Sequence, residues 1–175
     1  MTDPPEARLA ALGLELPAVP APLAAYVPAV RTGRYVYTAG QLPMVAGKLL
    51  MTGKVGAQVS PAEAAALART AALNALAAVA SVAGGLSAVT QVVKMTGFVA
   101  STPDFTGQPQ VVNGASELLL EVFGEAGRHA RSAVAAPVLP FDSPVEIELI
   151  VEVSASPHPA APRSASPDPA APPND

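Results

Sequence analysis

The sequence contains no cysteine and only two histidines. Without a thiol there is no disulfide, no thiolate nucleophile and no thiolate-held metal. Two histidines, one of them His158 in a Pro-, Ala- and Ser-rich C-terminal run, leave too few nitrogen ligands for a transition-metal centre, so no metal is expected. Basic residues are sparse as well. Ten Lys and Arg, scattered singly, stand against fourteen Asp and Glu, for a formal net charge of −4. No stripe of cations exists to neutralise a run of phosphates, which argues against a nucleic-acid partner. The one long apolar run, residues 64–83, is mostly alanine and is interrupted by Arg69 and Asn74. A central arginine costs about 2.5–3.5 kcal/mol on insertion scales, more than alanines recover, so the run reads as a helix outside any membrane. Met1-Thr2-Asp3-Pro4-Pro5-Glu6 lacks the basic start and apolar stretch of a secretory signal, which points to the cytoplasm.

What is present suffices for one core, since half of the 175 residues are hydrophobic. Asp3 before Pro4-Pro5-Glu6 predicts a capped short helix to about Leu12, stopped by Gly13. Four prolines between Leu16 and Pro28 then predict an extended arm. Tyr26-Val27 with Val30, and Tyr35-Val36-Tyr37-Thr38 beyond a Thr32-Gly33 turn, predict an antiparallel hairpin. Lys48 to Met51 reads as a short edge strand. Ser60-Pro61-Ala62-Glu63 is a capping box with proline at the first helical position, and it opens a helix that Gly84-Gly85 closes. Val89 to Ala100 reads as a strand, Gln108 to Gly124 as a second helix with a stripe of Leu118, Leu119, Val122 and Phe123, and Arg131 to Val138 as a strand broken at Pro137. In the last strand Val145, Ile147, Leu149, Val151 and Val153 alternate with polar residues.

This order predicts an α+β fold, a mixed sheet with two helices on one face. The other face, left with apolar side chains, predicts coverage by further copies of the chain, as in a homotrimer. Residues 154–175 hold seven prolines and almost nothing to bury, so a disordered tail is expected there. The division is then 1–22 for the N-terminal helix and arm, 23–153 for the domain and 154–175 for the tail.

Few residues carry obvious chemistry. A serine-histidine-carboxylate triad would have to use His129, which sits in a turn beside Arg128 and Arg131 with no evident partner set. Arg131 is more suggestive. It begins a strand, and its planar fork holds a carboxylate through two parallel hydrogen bonds, although pairing with Glu146 or Glu148 of the same chain is the bland alternative. Those two glutamates share the polar face of the last strand, where either could hold a water or simply be solvated. Tyr26 and Asn113 could orient a ligand or satisfy nearby backbone.

Together, Ala25-Tyr26-Val27-Pro28-Ala29-Val30, Tyr37-Thr38-Ala39-Gly40-Gln41-Leu42-Pro43 and Ala130-Arg131-Ser132-Ala133-Val134 through Leu139-Pro140 to Val145-Glu146-Ile147-Glu148 resemble the Rid (reactive intermediate deaminase, RidA-like) family from about Leu23 to Val153. The resemblance implies a chorismate-mutase-like fold, a homotrimer with ligand clefts between subunits, and cofactor-free hydrolysis of enamines and imines of the 2-aminoacrylate type. It also implies that Arg131 binds a small ligand's carboxylate, that Glu146 positions the attacking water, and that Tyr26, Ala39, Gly40, Asn113 and Ala133 line the cleft. Ala39 and Ala133 replace the serine and cysteine of many members, and the N-terminal extension and a longer connection from Phe105 to Val111 are departures too. These changes leave a non-catalytic carboxylate-binding module as the alternative. An RNA-cleaving activity known in some relatives conflicts with the acidic balance.

Overall fold

The element boundaries follow the places where the sequence changes its period or supplies a cap. A computed structural model describes residues 3–19 and 25–155. Helix α1 spans Pro5–Ala11, strand β1 Ala29–Thr32, β2 Tyr35–Thr38, β3 Met44–Val45, β4 Lys48–Leu49, α2 Pro61–Ala83, β5 Val89–Ala100, α3 Gln108–Phe123, β6 Ala130–Ala136 and β7 Val145–Val153. The capping box forms as read: the Ser60 hydroxyl accepts from the Glu63 amide, and the Glu63 carboxylate accepts from the Ser60 amide at 2.9 Å. Gly84 ends α2 in the left-handed region with φ of 86°.

The five-stranded sheet runs β1-β2-β7-β5-β6. Neighbours are antiparallel except β5 and β6, which are parallel and joined by the α3 crossover. Helices α2 and α3 lie on one face, making the predicted α+β architecture, and the short α1 packs against α3 as a third helix. Long and apolar as α2 is, it is an inner helix, with ten of its residues buried. The helix layer is thin because its contacts are small. A Cβ on Gly114 of α3 would stand 2.0 Å from the Ala65 carbonyl oxygen of α2, so the two backbones nearly touch. Val36, Val92, Met95, Val99, Ile147, Leu149 and Val151 fill the space beneath them. On the opposite face Val30, Tyr35, Tyr37 and Val134 stay between 42% and 52% exposed.

Several local readings need correction. The first helix starts at Pro5 and has no side-chain cap; Asp3 does not serve, and Glu6 instead accepts the Ser87 amide (3.0 Å) and hydroxyl (2.6 Å). Tyr26-Val27 precede the hairpin, which begins at Ala29. Among the described residues Lys48-Leu49 pair with Met44-Val45 alone, in a separate ribbon, because the Ala46-Gly47 turn, both residues at positive φ, folds the segment on itself. Pro20 and Pro22 of the expected arm, and residues 156–175 of the expected tail, lie outside the described residues.

Candidate functional site

Arg131 is the second residue of edge strand β6, and its register fixes where it points. It pairs with Met95, which pairs with Leu149, and both of those are buried under the helices. Residues directly opposite across a sheet share a face, so Arg131 rises on the helix side. There Nη1 donates to Asn113 Oδ1 at 2.7 Å and to Ser116 Oγ at 3.1 Å, two residues three apart on the same face of α3. No carboxylate reaches it: among the described residues Arg131 makes no ion pair.

His129 completes this cluster. Its Nε2 lies 3.1 Å from Ser116 Oγ and its Nδ1 2.7 Å from the Gly127 carbonyl oxygen. Gly127 makes the approach feasible, since a Cβ there would stand 2.2 Å from the Leu119 carbonyl oxygen and would lift the turn off α3. Ser116, Leu120, Gly127, Arg128, His129 and Arg131 line an open depression of about 270 Å³. Arg128, at its rim, is held by Glu125 at 2.8 Å.

Glu146 belongs elsewhere. It pairs with Phe98 on the face opposite Met95 and Leu149, so the sheet itself separates it from Arg131. The bland expectation that Arg131 pairs with Glu146 or Glu148 of its own chain is thereby overturned. After β2 the backbone continues beside β7, with Gln41 and Ile147 exchanging hydrogen bonds at 2.9 and 3.0 Å. This lays Gly40 flat on Glu146: a Cβ at Gly40 would come 1.6 Å from Glu146 Oε1. Burial, and secondly the charge of Glu148, push the Glu146 carboxyl above its ordinary value. Ala39 donates its amide to the Pro28 carbonyl at 2.9 Å and offers no polar side chain.

Of the expected site residues, the fold thus gathers Arg131 and Asn113 in one place and Gly40 and Glu146 in another. Ala133, two residues along β6 from Arg131, packs against the core, and Tyr26 stands exposed ahead of β1. Sequence reasoning weighed His129 only for a triad and passed over Ser116. The spacing of Ser116 three residues after Asn113 was the available signal.

A family model described as "YjgF/chorismate_mutase-like, putative endoribonuclease" matches residues 6–153. The chain belongs to this family. Among individual relatives, protein TCP17 of Trypanosoma cruzi is 44% identical over 149 residues, covering 85% of this chain and 93% of its own. A crystal structure of an Agrobacterium tumefaciens protein of unknown function is 47% identical, with a TM-score of 0.80 over 86% of this chain and 93% of that one. A Shewanella oneidensis structure, itself described as an endoribonuclease of unproven activity, is 41% identical, with a TM-score of 0.83 over 86% and 100%. More distant is Escherichia coli TdcF, solved with bound serine, at 26% identity and a TM-score of 0.54 over 79% of this chain and 93% of that one. The three solved structures share the sheet and helix layer of this chain, whose fold is the chorismate-mutase-like one of its family.

Proposed function

We propose that the protein is a cofactor-independent hydrolase of reactive enamines and imines of the 2-aminoacrylate type, acting in the cytoplasm as a homotrimer with clefts between subunits. One observation carries this reading: the Arg131 guanidinium is oriented by two neutral acceptors beside an open depression and keeps its charge for an external anion. The substrate carboxylate takes that place. Asn113 steadies the fork, Ala133 and Tyr26 bound the cleft, and a neighbouring copy brings Ala39, Gly40 and Glu146, the last of which holds the attacking water. Water adds to the imine carbon, ammonia departs with the C–N bond, and a 2-oxo acid remains. A carboxyl that burial has pushed upward is suited to hold and return the proton this addition moves. The serine bound to TdcF supports a small amino-acid-like ligand for relatives of this fold. The net charge of −4 gives no support to the ribonuclease in the family's description.

The test generates an imine in place with an amino-acid oxidase and follows its loss. The wild-type chain accelerates that loss, and an Arg131→Ala variant does not; equal rates for the two remove the reading. A second reading, a carboxylate-binding module without turnover, is favoured by the bare side chains of Ala39 and Ala133. It predicts calorimetric binding of 2-oxo acids together with no acceleration.

A further inference from the structure

Around the depression, the direction of every hydrogen bond to Ser116 can be assigned. The Gly127 carbonyl can only accept, so in the neutral imidazole the ring proton sits on His129 Nδ1, 2.7 Å away. Nε2 is then bare and accepts the Ser116 hydroxyl hydrogen across 3.1 Å. Arg131 Nη1 donates to the same serine oxygen at 3.1 Å. With its hydrogen held by His129 and one lone pair facing Arg131, Ser116 Oγ offers a ligand its remaining lone pair and no donor. The anion-binding fork therefore has a fixed acceptor beside it.

We propose that Ser116, oriented by His129, is a specificity determinant that selects, among small carboxylates held by Arg131, those carrying an N–H on the carbon next to the carboxylate. This rests on the carboxylate-binding reading and refines it. An enamine of a 2-oxo acid brings such an N–H to the serine oxygen. The 2-oxo acid product sets a carbonyl lone pair against the serine lone pair, so the group that welcomes the substrate disfavours the product. His129 is a positioning residue here: it touches no ligand and acts by holding the serine hydrogen away. A hydrogen bond gained in one ligand and a lone-pair clash in the other separate the two by about tenfold in affinity.

Pyrrole-2-carboxylate and furan-2-carboxylate test this directly, because they match in ring size and charge and differ in an N–H against an oxygen. Calorimetry of the full chain at pH 8 is expected to give the pyrrole acid about tenfold tighter binding. Ser116→Ala should keep binding furan-2-carboxylate while the ratio falls to near one. His129→Phe, which frees the serine hydrogen to donate, should also bring the ratio to one or below. His129→Gln, whose amide oxygen can take that hydrogen, should restore the preference, which a merely structural role for the histidine would not produce. Arg131→Ala should bind neither acid. Equal affinities in the wild type, or a preference that survives Ser116→Ala, overturn the proposal and leave the arginine site standing. If the wild-type chain binds neither acid, the carboxylate site itself fails and takes this proposal with it.

Discussion

The contact between Gly40 and Glu146 allows the proposed function to be separated from stability. In Gly40→Ala the new Cβ would begin 1.6 Å from Glu146 Oε1, whereas real Cβ contacts stay beyond 3.0 Å, so the carboxylate oxygen must retreat by about 1.4 Å. The backbone does not resist, since Gly40 is not among the residues at positive φ. What yields is the far end of a flexible side chain. Turning Glu146 off its rotamer costs about 0.5–1.5 kcal/mol. Replacing glycine by alanine at a compatible position recovers about 0.4–1 kcal/mol by restricting the unfolded chain. The two nearly cancel, and the folded state should change by no more than about 1 kcal/mol.

Catalysis should respond differently. A displacement of about 1 Å in a group that places a reactant can cost on the order of a hundredfold in rate. Gly40→Ala should thus unfold in urea at nearly the wild-type midpoint while losing on the order of a hundredfold in imine hydrolysis, close to the loss in Glu146→Gln. Full activity in Gly40→Ala would falsify the role given to the carboxylate position. Collapse of the urea midpoint would show instead that the glycine serves the backbone, and the cancellation argued above would be wrong.

Other substitutions probe the frame around the site. Gly114→Ala drives a Cβ against the backbone of Ala65, which cannot rotate away, so it should destabilise by about 1–3 kcal/mol despite alanine's better helix propensity, read as a lower urea midpoint; an unchanged midpoint would mean the helices are not in such close contact. Glu146 has a raised folded pKa, so the native state holds that proton more tightly than the unfolded chain, and stability declines as pH climbs from the ordinary carboxylate value through the raised one. Glu146→Gln should therefore gain stability over wild type at pH 7 and gain none below pH 4, as urea midpoints at the two pH values will tell; a gain of equal size at both would refute the burial argument.

The parts of this fold that sequence makes readable are those where one residue type meets one geometric need. Ser60 with Glu63, Gly84 past α2, and the five alternating apolar residues of β7 each have a single comfortable conformation, and each was found as read. The edge strand β6 is the opposite case. Arg131, Ala133 and Ala135 alternate with Ala130, Ser132 and Val134, and neither set is apolar enough to declare which face lies under the helices. Nothing in that pattern could place Arg131 beside α3 and across the sheet from Glu146. The Ser116–His129 contact was hidden for a related reason, since it joins a helix to a turn through the glycine that lets them touch. The Ala46-Gly47 turn went unread in the same way, and it pairs Lys48-Leu49 with Met44-Val45 in a ribbon apart from the main sheet.

The placement of Arg131 and Glu146 has its own consequence. Strand β5 lies between theirs, and along it Arg131 stands opposite Met95 and Glu146 opposite Phe98, so they are two strand spacings, roughly 10 Å, apart across the strands, are offset by three residues along them, and point away from each other. One chain cannot bring both to a single small molecule. If a cleft unites them, the arginine comes from one copy and the glutamate from the next, and two crippled variants should repair each other. In a random trimer made from equal parts of Arg131→Ala and Glu146→Gln chains, each interface needs its arginine from one variant and its glutamate from the other, which happens in about a quarter of cases. Mixing the unfolded variants and refolding them together should thus return about a quarter of wild-type imine hydrolysis, from two parents that are each nearly inactive. A site confined to one chain returns nothing, because no chain in the mixture carries both residues.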